Sequence, residues 1–176
     1  MKEPDPPAAT AQAPPTAAFR VGQGFDRHRL EPGASFPLGG VSIDDEFAVV
    51  AHSDGDVLLH ALIDAVLGAS GEGDIGEMFP NSDDRWRDAD SAELLAAALS
   101  QMRTGWTIGN VDCTIFLQKP KLARYKAAIR ERIATLCGLT PDAVNVKAKT
   151  GEAVGPVGRS EAVDAAVVVL LIARPG

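Results

Sequence analysis

The sequence predicts an α+β fold, an α/β sandwich in which a mixed four-stranded sheet carries helices packed on one face. Segments with strand character lie near residues 19–25, 111–117, 144–149 and 162–172. Stretches with apolar residues at helical spacing alternate with them. The last strand segment is almost continuously apolar, which is typical of a central strand that is buried on both faces. This alternation favours one sheet with a layer of helices.

Composition excludes several classes of protein. The chain has 176 residues, with 17 Lys and Arg against 24 Asp and Glu, so its formal net charge is −7. A general nucleic-acid binder needs a basic face, which this balance argues against. No apolar run reaches the roughly 18 residues of a membrane span. Cys113 and Cys137 are too few for a disulfide framework and fit a reducing compartment, so we predict a cytoplasmic location.

The amino-acid composition changes at Phe19, and this change indicates the domain organisation. Residues 1–18 are mostly Ala, Pro and Thr. Such a segment has too little apolar surface to offset the entropy of ordering, and we predict a disordered tail. Residues 19–176 are predicted to form one domain.

The first half of the domain contains a strand, a hairpin and a helix. Glycines within residues 19–25 predict a strand whose backbone another group can approach closely. Residues 36–43 predict a hairpin with a Gly-Gly turn. Apolar spacing predicts a helix over 57–67, with Ser53 or Asp54 as its N-cap and Gly68 as its end.

The second half of the domain again alternates between helices and strands. A loop over 71–90 leads to a helix over 91–103, where Asp90 and Glu93 have capping-box spacing. The strand over 111–117 is followed by a helix that begins after Pro120 and ends near Cys137. A glycine-rich loop over 151–158 then joins the last two strands.

The three histidines, His28, His52 and His60, all lie in the first third of the chain. Asp26 and His28 occupy positions i and i+2 of a predicted strand end, so both side chains project to one face. His60 lies on a helical stripe with Asp56 and Asp64. If that stripe crosses the strand, two nitrogens and one oxygen form a zinc site with an open fourth position. The spacing is equally compatible with a solvated helix face.

Two further segments suit phosphate groups. Residues 52–56 start a helix, where free N–H groups and a hydroxyl suit an anion, although a plain N-cap with Asp54 is the favoured interpretation of this motif by itself. Lys149 and Thr150 can hold phosphate oxygens and Glu152 a hard cation such as Mg²⁺, with a polar hairpin rim as the alternative. Arg159 adds a planar guanidinium. The basic helix within 119–132 is interpreted as a solvated face.

Seven stretches occur in the order typical of one known family. The longest is Ala51-His52-Ser53-Asp54-Gly55-Asp56, followed by His60-Ala61-Leu62. The others are Gly24-Phe25-Asp26-x-His28, Gly73-Asp74-Ile75-Gly76-x-x-Phe79-Pro80, Asn110-Val111-Asp112, Pro120-Lys121, Val144-Asn145-Val146-Lys147-Ala148 and Gly158-Arg159. From about Phe19 to Ile172 the chain resembles the 2-C-methyl-D-erythritol 2,4-cyclodiphosphate synthase family.

The resemblance implies a lyase of the non-mevalonate (MEP) pathway of isoprenoid biosynthesis. Its substrate would be 4-diphosphocytidyl-2-C-methyl-D-erythritol 2-phosphate, which is closed to the 2,4-cyclodiphosphate with release of CMP. The family implies a homotrimer with active sites between subunits. It also implies one divalent transition metal, such as zinc, together with magnesium or manganese. Neither a nucleic acid nor a membrane is expected as a partner.

The resemblance also implies the site residues. Asp26, His28 and His60 would bind zinc, and Glu152 would hold Mg²⁺ or Mn²⁺ through the diphosphate. The implied catalytic residues are His52, Lys149, Thr150 and Glu152. The implied substrate-binding residues are Asp26, His28, His52, Ser53, Asp74, Ile75, Gly76, Phe79, Pro80, Asn81, Ser82, Asp83, Gln118, Lys119, Pro120, Lys121, Leu122, Lys149, Thr150, Gly151, Glu152, Pro156 and Arg159.

Three residues depart from the commonest family pattern. Lys149 stands where many members carry threonine, Pro156 replaces an aromatic residue, and Lys119 replaces a small one. Two alternatives to the synthase are a zinc-dependent phosphohydrolase that gives a linear product and a non-catalytic trimeric binding protein. An open metal position argues against a purely structural site, since structural zinc usually has four protein ligands.

Overall fold

One mixed sheet and one separate hairpin contain all the strands of the described chain, which comprises residues 18–44, 46–80, 82–102 and 104–174 of a computed structural model. The predicted tail lies outside these residues except for Ala18. In chain order the elements are β1 (Phe19–Pro32), β2 (Ser35–Leu38), β3 (Val41–Asp44), β4 (Phe47–Val50), α1 (Val57–Ser70), α2 (Ile75–Met78), α3 (Ser91–Gln101), β5 (Trp106–Phe116), α4 (Lys126–Cys137), β6 (Val144–Lys149), α5 (Gly155–Gly158) and β7 (Ala162–Ala173).

The main sheet has five strands in the order β4-β1-β7-β5-β6, and β2 pairs with β3 by itself. Only β5 and β6 are parallel; the other neighbours are antiparallel. The mixed α+β class is confirmed, but the predicted number of four strands is wrong. β1 continues to Pro32, and its last four residues pair with β4. A four-residue strand at the sheet edge carries too weak a local pattern to be predicted.

The long helices pack on one face of the main sheet, as predicted. Two glycines of β1 allow this, because α1 lies directly on the strand. A Cβ atom on Gly22 would lie 1.9 Å from the carbonyl oxygen of Ala65, and one on Gly24 would lie 1.9 Å from that of Ala61. The predicted close approach to the β1 backbone is therefore the approach of a helix.

Asp56 determines where α1 begins. Its carboxylate accepts hydrogen bonds from the N–H groups of Leu58 and Leu59, so neither Ser53 nor Asp54 is the N-cap. The same buried carboxylate accepts from the N–H groups of Gly39 and Gly40, in the turn between β2 and β3. The prediction failed because this residue is shared between two elements that are distant in sequence.

The other helix ends follow ordinary capping chemistry, with two shifts. α1 passes through Gly68 and ends at Gly71, whose φ of +75° is readily adopted only by glycine. Asp90 caps α3 as predicted. α4 begins at Lys126, after a short 3₁₀ turn over Leu122–Arg124. The predicted last residue of α3, Arg103, lies outside the described residues.

The opposite face of the main sheet exposes apolar side chains. Its largest exposed members are Phe19, Val21, Phe25, Val168 and Ile172, which are 42–62% exposed on β1 and β7. Alternate residues of the same strands are buried under α1. One face of the sheet is thus the core, and the other is an apolar surface.

Candidate active site

Asp26, His28 and His60, here called the histidine cluster, bring ligand atoms within 4.8 Å of one another. Asp26 Oδ2 is 3.1 Å from His60 Nδ1 and 3.4 Å from His28 Nε2. The two imidazole rings meet edge to face with centroids 5.0 Å apart. Two residues of β1 and one of α1 therefore converge at a single point on the core face of the sheet.

The three residues of the predicted helical stripe, Asp56, His60 and Asp64, lie in three different environments. Asp56 is fully buried and bound by backbone amides, so it takes no part in the cluster. His60 is 9% exposed. Asp64 lies farther along α1 and lines the neighbouring cavity. The alternative of a solvated helix face is therefore wrong.

The electrostatics of the cluster favour metal-binding protonation states. Burial opposes ionisation of Asp26, but the hydrogen bond from His60 and the charges of both histidines outweigh it and lower the pKa of the carboxyl. Burial also lowers the pKa of His28, although Asp26 pulls in the opposite direction. A neutral imidazole and an ionised carboxylate are the forms that bind a divalent cation.

The donor set fits a metal with nitrogen and oxygen preferences. One carboxylate and two imidazoles provide three ligands, and the adjoining cavity leaves a fourth position accessible to an external molecule. Zinc sites with three protein ligands are functional rather than structural. The cluster is therefore consistent with a divalent metal ion that also contacts a ligand.

A cavity of about 230 Å³ adjoins the cluster. Five of the predicted site residues outside the cluster line it: His52, Ser53, Ile75, Gly76 and Phe79. The first-turn N–H groups of Leu58 and Leu59 are already occupied by Asp56, so the start of α1 is not a free anion site.

Other predicted substrate-binding residues lie next to these in the chain without lining the cavity. Asp74 is the N-cap of α2 and accepts a hydrogen bond from Glu77 N–H. Asp83 pairs with Arg85. Pro80 and Ser82 are adjacent in sequence and also outside the lining, and Asn81 lies outside the described residues.

Four residues of the cavity were not predicted as site residues from the sequence, and one of them, Ala51, directly precedes His52 in the chain. The sequence could have indicated Asp64, since it follows His60 by one helical turn. Trp86 packs edge to face on Phe79 with ring centroids 5.0 Å apart, and Leu94 comes from α3. Nothing local marks Trp86 or Leu94, because they reach the cavity only through the path of the loop before α3.

The predicted substrate-binding residues from Gln118 onward lie elsewhere. A second cavity of about 290 Å³ is lined by Lys121, Leu122, Lys149 and Thr150 together with apolar and basic neighbours. Gln118, Lys119 and Pro120 precede it in the chain but are outside its lining, and the Lys119–Pro120 peptide bond is cis.

We call residues 149–152 the strand-end segment, because they follow the end of β6. Thr150 donates a hydrogen bond of 2.7 Å to Glu152, and Gly151 lies between them. β6 runs parallel to β5, so the alternative of a hairpin rim is wrong. Pro156 lies in α5, and Arg159 forms a two-bond ion pair with Glu161 at 2.8 Å.

The two groups of residues lie at the same end of the sheet but on strands that are not neighbours. Strand pairing places Arg27, Asp164, Phe116 and Lys149 in one row. This row is on the open face, since Asp26 and His28, on either side of Arg27, point to the core face with His60. Two strands separate β1 from β6, so the strands are about 14 Å apart. One chain alone does not bring the two groups together.

Comparison with known proteins places these observations in a family. The family model described as "YgbB family" matches residues 19–172. A chloroplastic 2-C-methyl-D-erythritol 2,4-cyclodiphosphate synthase from Oryza sativa subsp. japonica is 47% identical over 98% of this chain and 78% of its own length. The synthase of that name from Xanthomonas oryzae pv. oryzae is 51% identical over 87% of this chain and 94% of its own.

The fold agrees with a solved relative. The Plasmodium falciparum IspF structure in complex with CDP superposes with a TM-score of 0.80 at 33% identity, covering 90% of this chain and 98% of that one. Among the described residues, no helix is long and apolar enough to cross a membrane.

Proposed function

Since the chain belongs to the YgbB family, we propose that it is a 2-C-methyl-D-erythritol 2,4-cyclodiphosphate synthase of the isoprenoid precursor pathway. The reaction joins the 2-phosphate oxygen of 4-diphosphocytidyl-2-C-methyl-D-erythritol 2-phosphate to the β-phosphorus of the diphosphate. The bond from that phosphorus to the oxygen shared with the α-phosphate breaks, and CMP leaves with that oxygen. The enzyme is therefore a phosphorus–oxygen lyase.

The observation that carries the proposal is the histidine cluster beside a cavity, within a match that spans almost the whole domain. Asp26, His28 and His60 would hold one divalent transition metal, for which zinc suits the donor set. Glu152 would hold Mg²⁺ or Mn²⁺ at the diphosphate, since a hard cation prefers carboxylate oxygen. When bound, the two cations would neutralise the phosphates and align the attacking and leaving oxygens.

The side chains of this chain would orient rather than activate the substrate. A phosphate monoester has a second pKa of about 6, so its attacking oxygen is largely ionised at neutral pH without a strong general base. His52 and Ser53 line the cavity and would fix the 2-phosphate. Lys149 and Thr150 would hold the diphosphate. Holding both phosphates of one molecule in place gives the reaction a large effective concentration.

A homotrimer would complete the site. The histidine cluster on β1 and the strand-end segment after β6 lie on strands about 14 Å apart in the sheet, so a neighbouring copy would bring the second group to the first. The exposed apolar side chains of the open face support burial in an assembly, because such a patch is unusual on a monomer. A cytoplasmic location remains a prediction.

The reaction is tested by following the diphosphocytidyl substrate with phosphorus NMR. The purified protein is incubated with Zn²⁺ and either Mg²⁺ or Mn²⁺, beside a His28→Ala variant. The expected result is paired cyclic-diphosphate resonances together with CMP, both lost in the variant. Linear phosphate products would establish the phosphohydrolase instead. Unchanged substrate, with metal bound, would establish the non-catalytic binding protein.

A further inference from the structure

The two ring nitrogens of His60 face different surroundings. Nδ1 lies 3.1 Å from Asp26 Oδ2, on the side of the histidine cluster. Nε2 points away from it and lies 2.9 Å from the hydroxyl of Ser91, the first residue of α3. Ser91 is fully buried and was not among the residues predicted from the sequence. It does not line the cavity beside the cluster.

The direction of the hydrogen bonds around Ser91 is fixed by Asp54. An ionised carboxylate only accepts hydrogen bonds, and a serine hydroxyl has one hydrogen to donate. Ser91 donates that hydrogen to Asp54 Oδ1 at 2.5 Å, and its backbone N–H donates to Oδ2 at 3.1 Å. The Ser91 oxygen therefore has only lone pairs left for His60. It follows that His60 Nε2 carries a hydrogen and donates it to Ser91.

This direction decides which nitrogen can bind a metal. With its hydrogen kept on Nε2, His60 can offer a lone pair to a metal only from Nδ1, the atom that faces Asp26 and His28; the metal would take the place of the hydrogen that Nδ1 shares with Asp26 in the metal-free protein. The opposite tautomer would present an N–H group to the cluster. Ser53 Oγ is also 3.1 Å from Nε2, but Ser53 lines the cavity and no carboxylate fixes its hydroxyl hydrogen.

Asp54 is itself held in place by the start of α3. Its N–H donates to the carbonyl of Ala89 at 3.1 Å, and the Asp88 N–H donates to the carbonyl of His52 at 2.9 Å. These bonds join the loop before α1 to the loop before α3. The segment that carries the His-Ser-Asp motif is therefore anchored to the same residue that contacts His60.

We propose that Ser91 and Asp54 are positioning residues, which fix the tautomer and ring orientation of His60 so that Nδ1 is available to the metal. The inference rests on the proposed metal site and adds two residues that never touch the metal. Partners of this kind change metal affinity typically 10- to 100-fold when they are removed.

The test measures Zn²⁺ affinity of the full chain by competition with a chromophoric chelator. Ser91→Ala is expected to weaken Zn²⁺ binding 10- to 100-fold. Asp54→Asn is expected to weaken it less, because an amide can still accept from Ser91 but no longer imposes the direction. Ser100→Ala is the matched control: it removes another hydroxyl of α3, which bonds the carbonyl of Ala97 far along the helix. It should leave the affinity unchanged.

A second measurement separates positioning from a general loss of structure. With ¹⁵N-labelled histidine, only three side chains contribute ring signals. In the wild-type protein His60 should show a protonated Nε2 and an unprotonated Nδ1 in the presence of Zn²⁺. Ser91→Ala should disturb that pattern in His60, while thermal unfolding of the metal-free variant shows that the domain is folded.

The outcomes distinguish the inference from the function on which it rests. Equal Zn²⁺ affinity in the wild type and Ser91→Ala, or an unprotonated Nε2 in the wild type, would overturn the inference and leave the synthase standing. Failure of the wild type to bind Zn²⁺ would overturn the proposed metal site and the inference with it.

Discussion

The histidine cluster and the strand-end segment differ in how much of their structure a single chain supplies. The cluster is half-buried, and its three side chains are held by packing between β1 and α1. Lys149 and Glu152 of the strand-end segment are exposed, and the side-chain hydrogen bonds described for the segment join Thr150 to Glu152. The comparison teaches that one chain brings the three candidate metal ligands together but leaves the strand-end segment apart from them.

The largest effect is expected from a charge on the open sheet face. Val21→Asp places a carboxylate where an assembly would bury an apolar side chain, and an unpaired buried charge is strongly unfavourable. We expect loss of the trimer and of nearly all synthase activity, with Zn²⁺ affinity unchanged because the histidine cluster lies on the other face. Sedimentation velocity and chelator competition measure the two properties.

Ala128→Asp serves as the control for that experiment. Ala128 is exposed on α4, in the helical layer on the other side of the sheet. It should not change the oligomeric state. An intact trimer in Val21→Asp would contradict the assignment of the open face to the assembly.

A smaller but sharper effect is expected from mixing two inactive variants. His28→Ala damages the histidine cluster and Glu152→Ala damages the strand-end segment. In trimers assembled at random from equal amounts, about one quarter of the sites would combine two intact halves from different subunits. Co-expression should restore about that share of the wild-type activity. If both halves of each site came from one chain, co-expression would restore no activity.

The contact that builds the cluster predicts a change in stability. Gly24→Ala forces a methyl group against the Ala61 carbonyl, and overpacking of this kind typically costs about 1–3 kcal/mol or more. Urea unfolding should show the loss. Gly68→Ala is the matched control, because its Cβ would meet nothing within 4 Å inside α1. It should raise the free energy of unfolding by about 0.5–1 kcal/mol. Equal effects would show that α1 does not depend on close approach to β1.

The smallest effect concerns the carboxylate beside the cavity. Burial raises the pKa of Asp64 above its ordinary value of 3.8, and the charges of Asp74 and Asp26 add to this, against the hydrogen bond from Ile75 N–H. Ionised Asp64 therefore destabilises the folded protein above its folded pKa. Asp64→Asn should raise the free energy of unfolding at neutral pH. That gain should disappear as the pH falls toward 3.8, where the carboxyl is protonated in both states.

Asp112→Asn provides a control of opposite sign. The hydrogen bond from Lys147 lowers the pKa of Asp112, so its ionised form stabilises the fold. Replacing it should lower the free energy of unfolding at neutral pH, with the difference lost as the pH falls through the lowered pKa. Urea titrations across pH check both variants. If both substitutions changed the free energy of unfolding in the same direction, burial would not be the main cause of the raised pKa of Asp64.

Local patterns in the sequence were sufficient for most elements. Period-two alternation predicted β5, helical spacing predicted α1, and the capping-box spacing of Asp90 and Glu93 supported α3. Asp26 and His28 were placed on one face by their spacing alone. β4 was missed because four residues at a sheet edge carry little pattern. The N-cap of α1 was wrong because Asp56 also bonds the distant turn at Gly39 and Gly40.

The sequence by itself determined the mixed α+β class, the pair of ligands on β1 and the order of the family's motifs, since each depends on neighbours along the chain. Only the tertiary structure decided that His60 meets Asp26, that Ser91, which is hydrogen-bonded to Asp54, contacts its other nitrogen, and that Lys149 pairs in the row of Arg27. These facts depend on strand register and helix docking. Both are set by packing between segments far apart in sequence, and no local pattern encodes them.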